Sequence, residues 1–170
     1  KYTSGRGGIR RGIEHFSGSK RRSEILGEQG GIIFADEYGH HPREVRETVR
    51  GFKEFYPDRR IIVDFMSHTY TRTEAFLDEF AEAFDSADEV ILHKIYASAR
   101  EKEGEVDGET LFHEVQKHHP DVKYFLEVMD AYPYLLYRLR PGDLFLTMGA
   151  GNNWRVGEAL KEAFSEEEHV

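Results

Sequence analysis

The 170-residue sequence contains no cysteine, so it can form neither a disulfide bond nor a metal site with thiolate ligands. It has no apolar run near the roughly 20 residues that a helix needs to cross a bilayer. Residues 1–8 are polar and glycine-rich, unlike a secretory signal. No G-x-x-x-x-G-K-[ST] sequence is present, so a phosphate-binding loop of the Walker type is excluded. These absences favour a cytoplasmic protein without a membrane partner.

Basic residues are fewer than acidic ones, 23 against 32, and they are unevenly spread. Residues 1–22 hold seven Lys or Arg and one acid, whereas the remainder holds 16 basic and 31 acidic residues. Because phosphate contacts need clustered cations, this mostly acidic chain argues against a nucleic-acid partner. The basic start could serve a smaller phosphate ligand or be an unpaired arm.

Strand-like and helix-like segments alternate along a chain long enough for one domain of ordinary size. This alternation predicts an α/β fold with a doubly wound, mainly parallel, Rossmann-like sheet and helices on both faces. An N-terminal β-hairpin is predicted with arms at 13–16 and 23–26. The other predicted strands span 31–35, 60–65, 89–93, 122–125 and 144–147. The predicted helices span 42–55, 73–84, 109–118, 128–138 (interrupted or begun at Pro133) and 155–164.

A polar segment follows each of three predicted strands. These segments read Asp-Glu-Tyr-Gly-His-His-Pro at 36–42, Ser-His-Thr-Tyr-Thr-Arg-Thr at 67–73 and Gly-Ala-Gly-Asn-Asn at 149–153. The carboxyl ends of parallel strands share one edge of a sheet, where ligands bind. Carboxylates, imidazoles, an arginine and a glycine-rich amide cradle are groups that hold phosphate and carboxylate ligands.

Each segment also has a purely structural interpretation. The Asp and His of the first segment could cap the following helix, and Ser67 or Thr73 could cap the helix at 73–84. The Gly-Ala-Gly sequence departs from the dinucleotide pattern G-x-G-x-x-G because position 154 is Trp. His40 and His41 are adjacent and point to opposite sides of an extended segment, so no metal is expected. A metal-dependent hydrolase built around His40, His41 and Asp36 remains an alternative.

Taken together, these segments are similar to motifs of a known family. The stretches at 36–42, 67–73 and 147–154, with Phe-Ser-Gly-Ser-Lys-Arg-Arg-Ser-Glu at 16–24, resemble the C-terminal domain of Mur ligases, enzymes of bacterial peptidoglycan synthesis. Within that family they are most similar to the UDP-N-acetylmuramate:L-alanine ligases. The resemblance covers residues 9–164, with the motifs in family order. It implies that residues 9–170 are the third domain of a three-domain enzyme, and that residues 1–8 are a flexible arm or an expression remnant.

The resemblance also implies a reaction. ATP and Mg²⁺, both held mainly by the missing central domain, convert the lactyl carboxylate of UDP-N-acetylmuramate into an acyl phosphate, which the amine of L-alanine then attacks. The first domain would hold UDP-N-acetylmuramate. The third domain would supply contacts to the amino acid and to part of the ATP. We therefore expect a bacterial cytoplasmic ligase whose third domain is inactive alone.

By position, Arg22 is similar to the family arginine that reaches the ATP phosphates when the domains close. Asp36 and Glu37 stand at the position that binds the ATP ribose, usually Asp-Asp in the family. Arg22 and His40 are the residues implied in catalysis. Ser23 stands where an aromatic residue is common.

The resemblance implies a second set of residues for L-alanine. Tyr38, His40 and Arg72 match residues that hold the incoming amino acid, with Arg72 pairing its carboxylate. Thr69 stands where some members have a second arginine, so the carboxylate clamp is expected to be lighter. Asn152 belongs to the glycine-rich segment that lines the same pocket.

Two other readings stay open. The chain could be the third domain of the related ligase that attaches a recycled tripeptide to the same sugar nucleotide. It could instead be a free-standing module that binds a nucleotide or a carboxylate. Two departures from the family pattern, Ser23 in place of an aromatic residue and Met66 in place of Pro, leave the exact substrate open.

Overall fold

The structure, a computed structural model, describes residues 20–99 and 104–167. Its strands are β1 (Glu24–Gln29), β2 (Ile32–Glu37), β3 (Arg60–Phe65), β4 (Glu89–Leu92), β5 (Val122–Tyr124) and β6 (Asp143–Met148). Its helices are α1 (Pro42–Phe55), α2 (Tyr70–Ala75), α3 (Leu77–Ala81), α4 (Gly108–Gln116), α5 (Tyr132–Arg138) and α6 (Trp154–Glu167). A 3-10 helix, Val128–Ala131, leads into α5, so the predicted interruption near Pro133 is confirmed. No helix in the described ranges is both long and apolar enough to cross a bilayer.

The six strands form one sheet in the order β1-β2-β6-β3-β4-β5. The β1–β2 pair is antiparallel and the other four pairs are parallel, which confirms the predicted mainly parallel α/β fold. The buried side chains of β2 alternate between two cores, because successive residues of a strand point to opposite faces. Ile33 and Ala35 join a core with residues of α1, α3 and α4. Ile32 and Phe34 join the other, with residues of α5 and α6.

The antiparallel N-terminal hairpin is confirmed, but its arms are β1 and β2. They connect through Gly30 and Gly31, whose positive φ angles of 56° and 73° suit a two-residue turn of the primed type. The predicted first arm, 13–16, lies outside the described residues, as does the predicted arm or remnant at 1–8.

The predicted helix at 73–84 is wrong in its bounds. It starts at Tyr70 and divides at Phe76 into α2 and α3. Phe76 has φ −125° and ψ 27°, outside the helical range, and its ring lies 4.7 Å from that of His41. Packing of this side chain thus overrides the helical pattern.

Charged side chains join the amino ends of three parallel strands. Buried Glu89 at the start of β4 accepts hydrogen bonds from Tyr134 Oη (2.6 Å), Arg138 Nε (2.8 Å) and Arg60 Nη1 (3.4 Å). Arg60 also pairs with Asp143 at 2.8 Å. Burial and the hydrogen bond to Glu89 raise the pKa of Tyr134 to about 12, so the phenol stays protonated as a donor. This cluster stabilises the edge of the sheet opposite the polar segments.

Candidate functional site

The carboxyl ends of β2, β6 and β3 are neighbours in the sheet, so the segments that follow them meet. We call the edge formed by residues 36–42, 66–73 and 147–153 the rim. The Gly149 N–H donates to the carbonyl oxygen of Glu37 at 2.9 Å, and the Met66 N–H donates to that of Met148 at 3.1 Å. The prediction that the three polar segments share one edge is confirmed.

Two glycines let the third segment pack closely against the second. A Cβ on Gly149, whose φ is 122°, would lie 2.3 Å from the carbonyl oxygen of Met66. A Cβ on Gly151 would lie 2.4 Å from Met66 Sδ. Both distances are far below van der Waals contact, so Gly149 is required by the nearby Met66 backbone and Gly151 by the packed Met66 side chain.

Asp36, the first acid of the pair, is buried and already has protein donors. Its carboxylate accepts from Arg21 Nε at 2.6 Å and from Thr147 Oγ1 at 2.8 Å. Arg21 Nη2 also donates to the carbonyl oxygen of Gly149 at 2.8 Å. One guanidinium therefore joins the entry to β1 with two segments of the rim.

Glu37, the second acid, is also buried. It accepts from the Gly39 N–H at 2.7 Å, and from the N–H and Oγ of Ser23 at 2.8 and 3.2 Å. Arg21 and Ser23 have φ angles of 56° and 44°, which are unusual for residues other than glycine. The acidic pair thus anchors a strained entry segment to the sheet.

Arg22, by contrast, is largely exposed. Its Nη1 lies 3.9 Å from Glu37 Oε1, and its Cζ lies 5.9 Å from the centre of the Tyr38 ring. Arg21 Cζ lies 5.2 Å from the same ring. The sequence singled out Arg22 and missed Arg21, because a run of adjacent cations gives no signal of which one turns inward.

The two adjacent histidines separate, as predicted. His41 is the N-cap of α1, with its Nδ1 accepting from the Arg43 N–H at 3.3 Å, so the capping interpretation is confirmed for this histidine. The Glu44 carboxylate accepts from the N–H groups of His40 (3.0 Å) and His41 (3.2 Å). Burial acts to raise the pKa of Glu44, but these two hydrogen bonds and nearby cations lower it overall.

His40 instead faces the rim. Its Nδ1 lies 2.9 Å from the carbonyl oxygen of Tyr38, which requires a proton on Nδ1. Its ring lies 5.3 Å from that of Tyr38 and 5.7 Å from that of His68. His40 therefore bridges the first and second segments. Because Asp36, His40 and His41 each have separate partners, the structure does not favour the metal-dependent hydrolase.

Arg72 lies one turn beyond His68 in the second segment. Its Nη1 donates to the carbonyl oxygen of His68 at 3.2 Å and lies 3.4 Å from His68 Nδ1. Thr69, between them, has a φ of 70°, and its N–H donates to the carbonyl oxygen of Tyr96 at 3.1 Å. These contacts place the Arg72 guanidinium beside His68, whose ring lies 5.7 Å from that of His40.

The predicted capping by Ser67 or Thr73 is wrong. Thr69 is the N-cap of α2 and makes no side-chain capping bond. Ser67 Oγ and Thr73 Oγ1 instead bond each other at 2.6 Å, and Thr73 Oγ1 donates to the Thr69 carbonyl oxygen at 2.8 Å. These bonds hold the second segment in shape.

Asn152 lies in the third segment, where its carbonyl oxygen accepts from the Arg155 N–H at 3.2 Å. Its Oδ1 is buried and has no hydrogen-bond partner among the described residues. Sequence reasoning missed two buried polar residues, Asp64 and His93, and gave no role of its own to the buried Asn153 of the third segment. The one available signal was an Asp within the apolar run Ile-Ile-Val-Asp-Phe.

A family model described as Mur ligase, glutamate ligase domain, matches residues 21–151, a range that contains all three segments of the rim up to Gly151. The chain belongs to the Mur ligase family. Members of this family are ATP-dependent.

Curated relatives of this Mur ligase chain carry a common name. UDP-N-acetylmuramate–L-alanine ligase of Treponema pallidum (strain Nichols) is 56% identical over 160 residues, 94% of this chain and 33% of the relative. The enzymes of that name from Borreliella burgdorferi and Nostoc punctiforme are 44% and 43% identical, over 89% and 94% of this chain and 33% and 34% of the relatives. The chain spans about a third of the length of the curated relatives it matches.

Solved structures support the fold. The UDP-N-acetylmuramate-alanine ligase of Thermotoga maritima superposes with a TM-score of 0.75 at 21% identity, over 92% of this chain and 33% of that one. A murein peptide ligase from Psychrobacter arcticus gives 0.68 at 20% identity, over 91% and 32%. A lone domain from a Haemophilus ducreyi ligase gives 0.61 at 19% identity, over 84% of this chain and 99% of that one.

Proposed function

We propose that this chain is the C-terminal domain of an ATP-dependent ligase that joins L-alanine to UDP-N-acetylmuramate in peptidoglycan synthesis, in the cytoplasm of a bacterium. The observation that carries the proposal is the meeting of the three polar segments at one rim, in a chain of the Mur ligase family. The names of relatives that are 43–56% identical support L-alanine as the amine.

The proposed reaction has two steps. The carboxylate of UDP-N-acetylmuramate attacks the γ-phosphorus of ATP, giving an acyl phosphate and ADP. The amine of L-alanine then attacks the acyl carbon, an amide bond forms, and phosphate leaves with the electrons of the broken C–O bond. Because negative charge develops on the transferred phosphoryl group, positioned cations are the main requirement of the first step.

Arg22 is the residue of this chain proposed for that role. Its side chain is 59% exposed, and the contacts described for its guanidinium are long, 3.9 Å to Glu37 Oε1 and 5.9 Å to the centre of the Tyr38 ring. The Arg22 side chain can therefore change its conformation and contact the phosphates of ATP bound by a neighbouring domain. Arg21 is committed to Asp36 and Gly149, so it is unsuited to the same movement.

Arg72 is proposed to bind the carboxylate of L-alanine, since a guanidinium can hold a carboxylate through two parallel hydrogen bonds. Tyr38, His40, Thr69 and Asn152 are proposed to complete the amino-acid site. His40 lies between Tyr38 and the His68–Arg72 pair, so it can orient the incoming amine. The buried Oδ1 of Asn152 can accept a hydrogen bond from that amine.

Asp36 and Glu37 are proposed to contact the ATP ribose in addition to their hydrogen-bond donors within the protein. An ionised carboxylate offers about four acceptor sites, so a ribose hydroxyl can be added to the existing donors. Asp36 also lines a groove of about 220 Å³ together with Arg21 and Trp154. In the described part of the chain no cluster of three or more acidic or histidine side chains suits a metal, so no residue is assigned to Mg²⁺.

The test uses the complete polypeptide with ATP, Mg²⁺ and UDP-N-acetylmuramate, supplied with either L-alanine or the recycled tripeptide. Phosphate release and the new amide are measured together. We expect both to depend on L-alanine, and we expect the 170-residue chain alone to release no phosphate. Product formed only with the tripeptide would support the recycling ligase instead. Nucleotide binding without any ligation would support a binding module.

A further inference from the structure

Three fully buried polar side chains connect β3 to the segments that follow β4 and β6. Asp64 lies in β3, His93 directly follows β4, and Asn153 ends the glycine-rich segment after β6. His93 Nε2 lies 2.9 Å from Asp64 Oδ2, and Asn153 Nδ2 donates to Asp64 Oδ1 at 3.0 Å. The same NH₂ group also lies within hydrogen-bond distance of the carbonyl oxygens of Asp64 (2.8 Å) and Met148 (3.1 Å), so its two N–H donors are shared among three acceptors.

The hydrogen bonds of His93 define its charge. Its Nδ1 lies 3.0 Å from the carbonyl oxygen of Phe125, which can only accept, so Nδ1 carries a proton. Its Nε2 faces the carboxylate of Asp64, which also accepts when ionised. With an ionised Asp64 both ring nitrogens donate, and the contacts fit a pair of imidazolium and carboxylate.

The electrostatic surroundings agree with this assignment. Burial lowers the pKa of His93, but the attraction and hydrogen bond of Asp64 outweigh burial and raise the pKa above its ordinary value. The Phe125 carbonyl and the charge of Asp130, in the 3-10 helix, act in the same direction. The nearby Lys94 and Glu127 form an exposed ion pair with each other.

This charged group is connected to the second and third segments of the rim, which carry Arg72 and Asn152. Asn153 is adjacent to Asn152, and Asp64 is two residues before Met66, against which Gly149 and Gly151 pack. On the other side, the chain after His93 reaches Tyr96, whose N–H donates to the Ser67 carbonyl oxygen at 2.8 Å.

We propose that His93, Asp64 and Asn153 form a positioning network that fixes the glycine-rich segment, and with it Asn152, against the segment that carries Arg72. The inference rests on the proposed function, because Asn152 and Arg72 are the residues proposed to hold L-alanine. The three network residues do not touch the substrate. They act by keeping those two side chains at a fixed separation.

The charge of the network is tested first, by nitrogen-15 NMR of the imidazoles in the 170-residue chain at neutral pH. We expect both nitrogens of His93 to be protonated. His119 is the internal control, because it is also buried but its Nδ1 accepts from the Asp121 N–H at 3.2 Å and so carries no proton. A single protonated nitrogen on His93 would overturn the ionic network.

The pH dependence of stability is the second readout. Since the pKa of His93 is raised, its contribution to stability is complete below its ordinary value of 6.5 and is lost as pH rises through the folded-state pKa. We expect the free energy of unfolding to decline over that range in the native chain. Asp64→Asn should remove the decline, whereas His119→Gln should keep it. An unchanged decline in Asp64→Asn would contradict the assignment.

Positioning is tested by Asn153→Leu in the complete ligase. We expect the KM for L-alanine to rise at least about tenfold, with kcat and the KM for ATP within about twofold, because a hydrogen bond to a buried charge is lost. If Asn153 only stabilised the fold, Asn153→Leu would reduce the fraction of folded enzyme, so the apparent kcat would fall while both KM values stayed unchanged. That result would overturn the proposal. His93→Gln keeps one donor to Asp64, so it should raise the KM for L-alanine by a smaller factor. If Asn153→Leu does not fold, the KM of this second variant tests the positioning role.

The two proposals fail separately. If the complete polypeptide ligates nothing, the proposed function fails, while the NMR and unfolding results still decide the charge of the network. If ligation is normal in both variants, the network has no positioning role and the ligase assignment stands.

Discussion

Arg21 and Asp36, which are 15 positions apart in the sequence, form a 2.6 Å ion pair. The pair links the residues that lead into β1 to the end of β2. The same guanidinium donates to the Gly149 carbonyl oxygen at 2.8 Å. The pair therefore joins the first and third segments of the rim, with Asp36 almost completely buried.

Replacing Arg21 should destabilise the domain. Arg21→Ala leaves a buried carboxylate with one fewer partner, so we expect the free energy of unfolding to fall by about 1–3 kcal/mol, less than for a fully buried pair because the guanidinium is partly exposed. Urea unfolding monitored by circular dichroism measures this change. Arg22→Ala is the matched control and should change stability by less than about 0.5 kcal/mol. Equal effects of the two variants would contradict the assigned orientation of the adjacent arginines.

Replacing Arg72 should weaken the binding of the amino acid. Without the guanidinium the L-alanine carboxylate loses a charge-assisted contact, so in the complete ligase the KM for L-alanine should rise about 10- to 100-fold. Steady-state kinetics at saturating ATP measure it, and Arg50→Ala, a surface residue of α1, is the control. An unchanged KM in Arg72→Ala would remove Arg72 from the site.

Replacing Arg22 should slow the first chemical step. If its guanidinium stabilises charge on the transferred phosphoryl group, Arg22→Ala should form the acyl phosphate about a hundredfold more slowly. Exchange of an oxygen label within ATP, followed without L-alanine, isolates this step. The KM for L-alanine should stay near its native value. A normal exchange rate would show that another residue supplies the charge.

Alanine substitutions at two glycines with positive φ, Gly149 and Gly142, should distinguish the cost of a steric clash from the cost of backbone strain. Gly149→Ala would place a methyl group 2.3 Å from the Met66 carbonyl oxygen, whereas the Cβ site of Gly142, φ 95°, has nothing within 4 Å. We expect Gly142→Ala to cost about 1–2 kcal/mol from strain alone. Gly149→Ala should cost clearly more, measured by thermal unfolding under identical conditions. Equal costs would mean that the third segment relaxes away from Met66.

The sequence predicted those features that depend on local patterns. The helical pattern at 42–55 and the short apolar run at 60–65 predicted the bounds of α1 and β3 without error, and the common edge of the three segments followed from the parallel sheet. Features that depend on tertiary packing were missed. The division at Phe76 and the choice of Arg21 over Arg22 as the inward arginine come from contacts distant in sequence. The His93–Asp64–Asn153 network joins residues of three elements that are distant in sequence, so no local pattern predicts it.

The central claim is that the rim holds the amino acid, and a crystal structure of the complete ligase with L-alanine, UDP-N-acetylmuramate and a non-hydrolysable ATP analogue tests it most directly. We predict that the L-alanine carboxylate lies about 3 Å from the Arg72 guanidinium, with Tyr38, His40 and Asn152 around the amine. L-alanine bound away from these residues, with the rim facing solvent, would contradict the account.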